Sequence, residues 1–151
     1  GSMRYIIKRE KNEISHSVKK AIQYEKEKKI DKIDSCIEFK KNCEKSRENI
    51  LDKINTLKDK GKSICGYAAT SKSTTILNYC QINSDYIDFI CDTTKEKIGK
   101  YSPGMHIPIK DMNYFHNNYT NCVYLFAWNH KEEILNKEKN FKGQWFSHVE
   151  I

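Results

Sequence analysis

Two kinds of hydrophobic patterning follow one another along the chain. Up to about residue 60, apolar residues recur every three or four positions among charged ones, which predicts helices over residues 15–29 and 34–60. Gly61 stands where a helix end is expected. Residues 4–9 alternate in character and predict a short extended segment. The stripe of the second helix also fits a coiled-coil seam, but it is short and broken by Arg47, which favours packing on its own domain.

Beyond Lys62, short apolar runs alternate with polar loops and helical stretches. Extended segments are predicted over residues 63–69, 86–91, 105–109, 121–128 and 145–151, and helices over 74–80 and 131–139. Such alternation predicts an α/β fold, with a mostly parallel sheet and helices on its faces. The chain is therefore expected to have three parts: an expression scar with the start Met (1–3), an N-terminal strand and helical lead-in (4–62), and an α/β domain (63–151).

The charge of the chain first suggests an anionic partner. The net charge is +7, which is typical of proteins that bind nucleic acid or an acidic membrane. The whole excess lies in residues 1–62, with 18 Lys and Arg against 11 Asp and Glu, while the rest of the chain is balanced. Acids are interleaved with the bases there, as in a solvated helix face. We therefore expect no nucleic-acid partner; salt-dependent binding of DNA or RNA stays an alternative.

Other classes are disfavoured by composition. No run of 18 apolar residues exists, so we expect no membrane partner, and the start of the chain does not resemble a signal peptide, which predicts a cytoplasmic protein. The cysteines are widely and irregularly spaced, without a C-x-x-C pair, which predicts reduced, mostly buried thiols and no zinc site. They are Cys36, Cys43, Cys65, Cys80, Cys91 and Cys122.

The first strand, loop and helix of the α/β part have the order of a phosphate or nucleotide site. Small residues let a backbone approach a ligand, and helix N–H groups, hydroxyls and a lysine attract anions. The candidates are Gly66, Ala68, Ala69, Lys72, Ser73, Thr74 and Thr75. Neither the G-x-G-x-x-G fingerprint nor a Walker lysine pattern is met, so the spacing alone favours a plain βα turn.

Further candidates lie at strand ends and in one loop. Asp92 closes the second strand, where an acid binds a ribose in dinucleotide folds or simply caps a turn. His106 follows a Pro-Gly turn and is either a hydrogen-bonding group or base for a ligand, or a partner of loop carbonyls. Trp128 and Asn129 follow the fourth strand, at the edge where open parallel sheets bind ligands. The alternative for Trp128 is that it is only a cap on the hydrophobic core.

Four phrases in the chain together resemble a known family. Residues 66–80 (GYAATSKSTTILNYC) are similar to the phrase G-Y-G-A-x-x-K-G-x-T-L-L-N-Y-C, and residues 87–92 (IDFICD) to a D-x-x-x-D strand. Residues 97–109 (KIGKYSPGMHIPI) resemble K-x-G-x-Y-x-P-G-T-H-I-P-I, and residues 127–129 (AWN) resemble P-W-N. In this order the phrases are similar to the C-terminal domain of SAM-dependent sugar C-methyltransferases, over nearly the whole chain.

The resemblance implies a fold and a role. It implies a Rossmann-like domain that helps to hold a nucleotide-linked sugar, beside a SAM-binding methyltransferase domain and a small zinc domain that this sequence lacks. We therefore expect no cofactor in this chain, SAM in the missing domain, a methyltransferase domain in cis or in trans as partner, and no methyl transfer by the chain alone. The substrate-binding residues that the resemblance and the pattern indicate are Gly66, Tyr67, Lys72, Ser73, Thr74, Thr75, Asn78, Asp92, Gly104, His106, Trp128 and Asn129.

The sequence departs from the family phrases at several positions, three of which lie in the candidate loops. Ala68 and Ser73 stand where the family has glycine, and Met105 stands where it has threonine. The added side chains put phosphate binding at this loop in doubt. Two other functions stay open: a domain that only docks onto a methyltransferase, and a stand-alone nucleotide-binding domain, against which the missing glycines argue.

Overall fold

The computed structural model of the protein describes residues 4–9 and 13–150. The predicted scar at residues 1–3 and the predicted strand end at Ile151 lie outside the described residues. The α-helices are α1 (His16–Glu27), α2 (Ile33–Asp59), α3 (Ser71–Cys80), α4 (Met112–Asn117) and α5 (Lys131–Lys137), and a 3-10 helix spans Trp128–His130. The strands are β1 (Ile64–Tyr67), β2 (Ile90–Cys91), β3 (Ile109–Lys110), β4 (Cys122–Leu125) and β5 (Gln144–Phe146).

The five strands form one parallel sheet in the order β3-β2-β1-β4-β5. Both central strands, β1 and β4, are buried at every position, as expected of parallel strands that are covered on both faces. Their register pairs Gly66 with Tyr124 and Tyr67 with Leu125, so the two strands end side by side. The predicted α/β fold, with a Rossmann-like parallel sheet and two helices near the N-terminus, is confirmed.

Two core clusters cover the two faces of this sheet. Ile54 of α2, Leu77 of α3 and Tyr124 of β4 belong to one cluster, and all three are fully buried or nearly so. Phe115 of α4 belongs to the other, together with Ile134 of α5. Side chains along β4 alternate between the two clusters because successive residues of a strand point to opposite faces. The sheet is therefore a rigid platform whose loops, at the carboxyl ends of the strands, are free to carry a site.

Several element boundaries differ from the sequence-based prediction. The predicted helix 74–80 begins three residues earlier, at Ser71, because the Thr70 hydroxyl accepts a hydrogen bond from the Ser73 N–H at 3.1 Å and caps the helix. Of the predicted strand 86–91, only Ile90–Cys91 pairs as a strand. The helix α4 was not predicted; Asp111 caps it by accepting from the Tyr114 N–H at 2.7 Å.

The chain divides into two compact units, Gly1–Asn42 and Cys43–Ile151. The division falls inside α2, whereas the composition changes at Lys62, so the predicted domain boundary stays a prediction. In the first unit, α1 buries none of its residues, and residues 4–8 form no strand. In the part of the chain that the structure describes, no helix is both long and apolar enough to span a membrane.

The six cysteines are free thiols, and four of them are buried in the sheet or against it. Burial raises the pKa of the Cys65 thiol to about 12, which outweighs the hydrogen bond that Thr120 donates to its sulfur. This thiol is therefore protonated and unreactive at neutral pH. The prediction of mostly buried thiols is confirmed, with Cys36 as the exposed exception.

Candidate functional site

The strand order creates a crevice between the ends of β1 and β4. The chain runs outward from β1 through β2 to β3, and outward in the other direction from β4 to β5. The connections after β1 and β4 therefore leave the sheet on opposite faces, and open α/β sheets bind ligands at such a switch point. The predicted candidates that follow these two strands, Lys72 after β1 and Asn129 after β4, meet there.

Lys72 is held in place by the segment after β4. Its Nζ donates a hydrogen bond to Oδ1 of Asn129 at 2.7 Å and lies 5.2 Å from the centroid of the Trp128 ring. The amide and the ring fix the position of the ammonium group, yet Lys72 and Asn129 remain exposed, as does 38% of Trp128. A positioned cation at an open crevice is suited to bind an anionic group.

His148, which follows β5, completes this group of residues and was not among the predicted candidates. Its ring meets the Trp128 ring edge to face, with 6.4 Å between centroids. Burial, and after it the charge of Lys72, holds the pKa of His148 below its ordinary value, so the ring is neutral at pH 7. Its Nδ1 is buried without a hydrogen-bond partner. We call Lys72, Trp128, Asn129 and His148 the switch-point cluster.

Sequence reasoning missed His148 because it lay inside a predicted strand. A strand over 145–151 would have placed its ring on one face of the sheet, whereas β5 ends at Phe146. One feature of the sequence could have indicated His148. It follows the last apolar run, where the carboxyl edge of the sheet is expected.

The hydroxyl groups at the start of α3 are directed toward the helix itself. Ser73 donates to the carbonyl oxygen of Thr70 at 2.6 Å and is 2% exposed, and Thr74 donates to the same oxygen at 3.4 Å. Thr75 donates to the Ser71 carbonyl at 3.1 Å. These hydroxyls stabilise the first turn, which leaves the N–H groups of Ser71 and Lys72 as its open donors among the described residues.

Asp92 fixes the turn between β1 and α3. One carboxylate oxygen accepts from the Ala69 N–H at 2.7 Å, the other from the Thr94 N–H at 2.7 Å, and Lys97 forms an ion pair with it at 3.6 Å. Lys97 also donates to the Ala69 carbonyl at 2.7 Å. Burial by itself would raise the pKa of Asp92, but these hydrogen bonds and the Lys97 charge outweigh it and lower the pKa. A ribose contact by Asp92 stays a prediction, and its oxygens already have these protein partners.

Asn78 and Gly104 lie against each other, and the hydrogen bonds of Asn78 go to residues outside the switch-point cluster. The Asn78 amide donates to the carbonyl oxygens of Thr74 at 2.8 Å and Pro103 at 2.9 Å, and so ties α3 to the loop before β3. Gly104 has φ +82°, and a Cβ there would overlap the Asn78 amide. His106 is exposed, with φ +52°. Asn78 therefore shapes this loop, and the predicted ligand contacts of Gly104 and His106 stay predictions.

Gly66 and Tyr67 are buried parts of the sheet. A Cβ on Gly66 would come within 2.6 Å of the Phe126 ring, so the glycine is needed for core packing. The Tyr67 hydroxyl donates to the buried Glu138 carboxylate at 2.8 Å, and the other Glu138 oxygen lies 2.8 Å from Nε2 of His116. These contacts account for the two residues without a ligand. Within the described residues, no group of three or more His, Cys, Asp or Glu side chains is placed to hold a metal ion.

Residues 1–149 match the family described as the C-methyltransferase C-terminal domain. The chain belongs to this family. It is also 34% identical over 104 residues to the C-methyltransferase NovU of Streptomyces niveus, in a match that covers 69% of this chain and 25% of that protein. The chain thus spans about a quarter of the length of this curated relative.

The structure shows the local effect of two of the departures of this C-methyltransferase C-terminal domain from the family phrases. Ala68 has φ +74°, the left-handed conformation that glycine adopts without strain. Ser73, in contrast, lies inside α3 with its hydroxyl bonded to Thr70, so its side chain does not extend into the crevice. The first departure strains the β1–α3 turn, and the second reinforces the cap of α3.

Proposed function

We propose that this C-methyltransferase C-terminal domain holds a nucleotide-linked sugar by its phosphates, at the switch-point cluster. The observation that carries the proposal is the Lys72 ammonium, fixed by Asn129 at 2.7 Å over the Trp128 ring. Two open N–H donors of α3, those of Ser71 and Lys72, lie at the same helix start. A diphosphate is the part of a nucleotide-sugar that a cation and helix N–H groups bind best.

The remaining chemistry would come from another part of the enzyme. C-methylation removes a proton from the carbon beside a ketone, and that carbon then attacks the methyl group of SAM, which leaves as S-adenosylhomocysteine. We assign the base and the SAM site to a methyltransferase domain that acts in cis or in trans, so this chain would not methylate alone.

Reduced thiols, with Cys36 exposed, support a cytoplasmic location.

A titration of the ¹⁵N-labelled chain with uridine diphosphate tests the phosphate site. We expect amide shifts at residues 70–73 and 128–130. Lys72→Met should raise the Kd at least about tenfold, since a charge-assisted hydrogen bond contributes about 1.5–3 kcal/mol. Lys137→Met, which removes an exposed lysine of α5, is the matched control and should leave the Kd unchanged. Equal binding by wild type and Lys72→Met would refute the proposed site.

A second candidate function, docking onto a methyltransferase, is favoured by the exposed apolar residues of the first unit. Ile14, Val18 and Ile22 follow one another at a spacing of four, and between 42% and 57% of each is exposed. A helix of 12 residues that buries nothing has little stability in water, so a partner surface would stabilise α1. The double variant Val18→Asp, Ile22→Asp should then abolish co-purification with a methyltransferase domain without changing nucleotide affinity.

Nucleotide binding and docking are distinguished by which variant has an effect. If Lys72→Met changes nothing while the α1 variant loses the partner, the chain is a docking domain. If only Lys72→Met has an effect, the nucleotide-sugar function stands and the docking proposal is wrong.

A further inference from the structure

A cavity of about 400 Å³ borders the first turn of α3 on the side away from Lys72. Lys72 reaches toward the segment after β4, whereas this cavity lies between α3 and the segment after β2, and β2 and β4 flank β1 on opposite sides. Its walls include Ala69 and Thr74 on one side and Lys100, Tyr101 and Pro103 on the other. The volume is within the range of small-molecule sites.

The walls of the cavity are fixed by hydrogen bonds. The wall that contains Tyr101 is anchored at both ends, by the bridge between Tyr101 and Pro108 and by the Asn78 amide on the Pro103 carbonyl at 2.9 Å. Across the cavity, Asp92 and Lys97 fix the N–H and the carbonyl of Ala69, each at 2.7 Å. The cavity is therefore formed before any ligand arrives, which reduces the entropic cost of binding.

Several polar groups that line the cavity are already paired within the protein. Lys97 bonds to Ala69 and Asp92, the hydroxyls of Ser73 and Thr74 donate to Thr70, and the Ser102 hydroxyl accepts from the Ile107 N–H at 3.0 Å. A sugar ring, which carries several hydroxyls, would find few free partners here and would lose hydrogen bonds to water. A flat ring with polar groups only at its edge fits these walls better.

Tyr101 and Lys100 supply what a flat ring needs. Tyr101 is 64% exposed and lines the cavity, so its ring is accessible for stacking. Lys100 and Glu96 stand at the rim, both exposed and without an ion-pair partner among the described residues, where they can meet the polar edge of a base. Stacking on an aromatic side chain is how proteins bind bases with little other contact.

We propose that this cavity binds the nucleobase of the nucleotide-linked sugar, stacked on Tyr101, while the phosphates lie at the start of α3. The inference rests on the proposed function, because it assigns the base of the same ligand. The start of α3 borders both places, since Ser71 lines the cavity and Lys72 belongs to the switch-point cluster.

The test compares three ligands on the full chain: uridine diphosphate, inorganic pyrophosphate and UDP-glucose. Tyr101→Ala should raise the Kd for uridine diphosphate about tenfold and leave that for pyrophosphate unchanged, since stacking of one base is worth that much. Tyr101→Phe, which keeps the ring, should bind as wild type does. Tyr24→Ala removes a tyrosine of similar exposure, 60%, from α1 and is the matched control. In UDP-glucose, saturation transferred from the protein should be strongest at the uracil protons.

Each outcome decides the inference. If Tyr101→Ala binds uridine diphosphate as wild type does, or if saturation is strongest at the hexose protons, the base assignment is wrong and the phosphate site still stands. If pyrophosphate binds as tightly as uridine diphosphate, the base contributes nothing and the assignment is again wrong. If none of the three ligands binds, the proposed function itself fails, and the base assignment with it.

Discussion

The ammonium group of Lys72 lies 2.7 Å from Oδ1 of Asn129, although 57 residues separate the two in the chain. Parallel pairing of β1 with β4 brings them together, because in-register strands end at the same edge of the sheet. The Trp128 ring lies beside the Lys72 ammonium, and the His148 ring contacts Trp128. The effect of the Lys72 charge on the pKa of His148 can therefore be measured without any ligand.

Replacing Lys72 with methionine should raise the pKa of His148. The pKa is lowered first by burial and then by the Lys72 charge, so the variant removes only the second cause and the pKa stays below the ordinary 6.5. An NMR titration of the His148 ring would measure it. Lys137→Met is the control and should not move this pKa; an unchanged pKa in Lys72→Met would show that the two side chains are not close in solution.

Replacing Ala68 with glycine should stabilise the protein. Ala68 has φ +74°, which costs an L-residue about 1–2 kcal/mol, while the flexibility of glycine in the unfolded chain costs about 0.5–1 kcal/mol. The net gain is about 0.5–1 kcal/mol in the free energy of unfolding, measurable by urea denaturation. Ala69→Gly is the neighbouring control and should destabilise, since Ala69 is not among the residues with positive φ. Destabilisation by both variants would contradict the strained turn.

Replacing Asp92 with asparagine should destabilise the protein at neutral pH. The variant loses the ion pair with Lys97 and weakens two hydrogen bonds of a carboxylate that is 7% exposed, at a cost of about 2 kcal/mol. Because the pKa of Asp92 is lowered in the folded state, its contribution is full above the ordinary 3.8 and disappears as pH falls through the lower, folded value. Urea denaturation should therefore show a smaller difference in the free energy of unfolding between wild type and variant at pH 3 than at pH 7. A constant difference would mean that the charge of Asp92 does not matter.

Replacing Gly66 with alanine should destabilise the core without any ligand present. The new Cβ would lie 2.6 Å from the Phe126 ring and 3.0 Å from the Ile90 side chain, and overpacking of this kind costs about 1–3 kcal/mol. Thermal unfolding would measure the loss. Phe126→Leu makes room for the new methyl group. It should therefore lower the free energy of unfolding less in the Gly66→Ala variant than in the wild-type protein. Additive effects would show that Gly66 does not contact Phe126 closely.

The positions of the site residues were only partly predictable from the sequence. Lys72 was expected between the first strand and its helix, and Trp128 and Asn129 after the fourth strand; the structure brings the three together. Asn78 and Gly104 lie against each other in the structure, and their predicted ligand contacts stay predictions.

The same loop shows why such roles are hard to assign from sequence. Tyr101 shares a loop with Gly104 but was not among the predicted binding residues; the structure lines a cavity with its ring. A motif shows which residues a loop needs, but a residue that shapes the loop and one that contacts a ligand look alike until the side chains have positions.

The sequence by itself determined the alternation of strands and helices, and with it the α/β fold, because hydrophobic periodicity is a local property that neighbouring residues express. It also carried the family phrases, since they are contiguous. Only the tertiary structure decided the strand order, the meeting of Lys72 with Asn129 and the contact of His148 with Trp128. These contacts depend on which strands pair and in which register, although the strands are far apart in the chain. A local hydrophobic pattern does not specify that pairing.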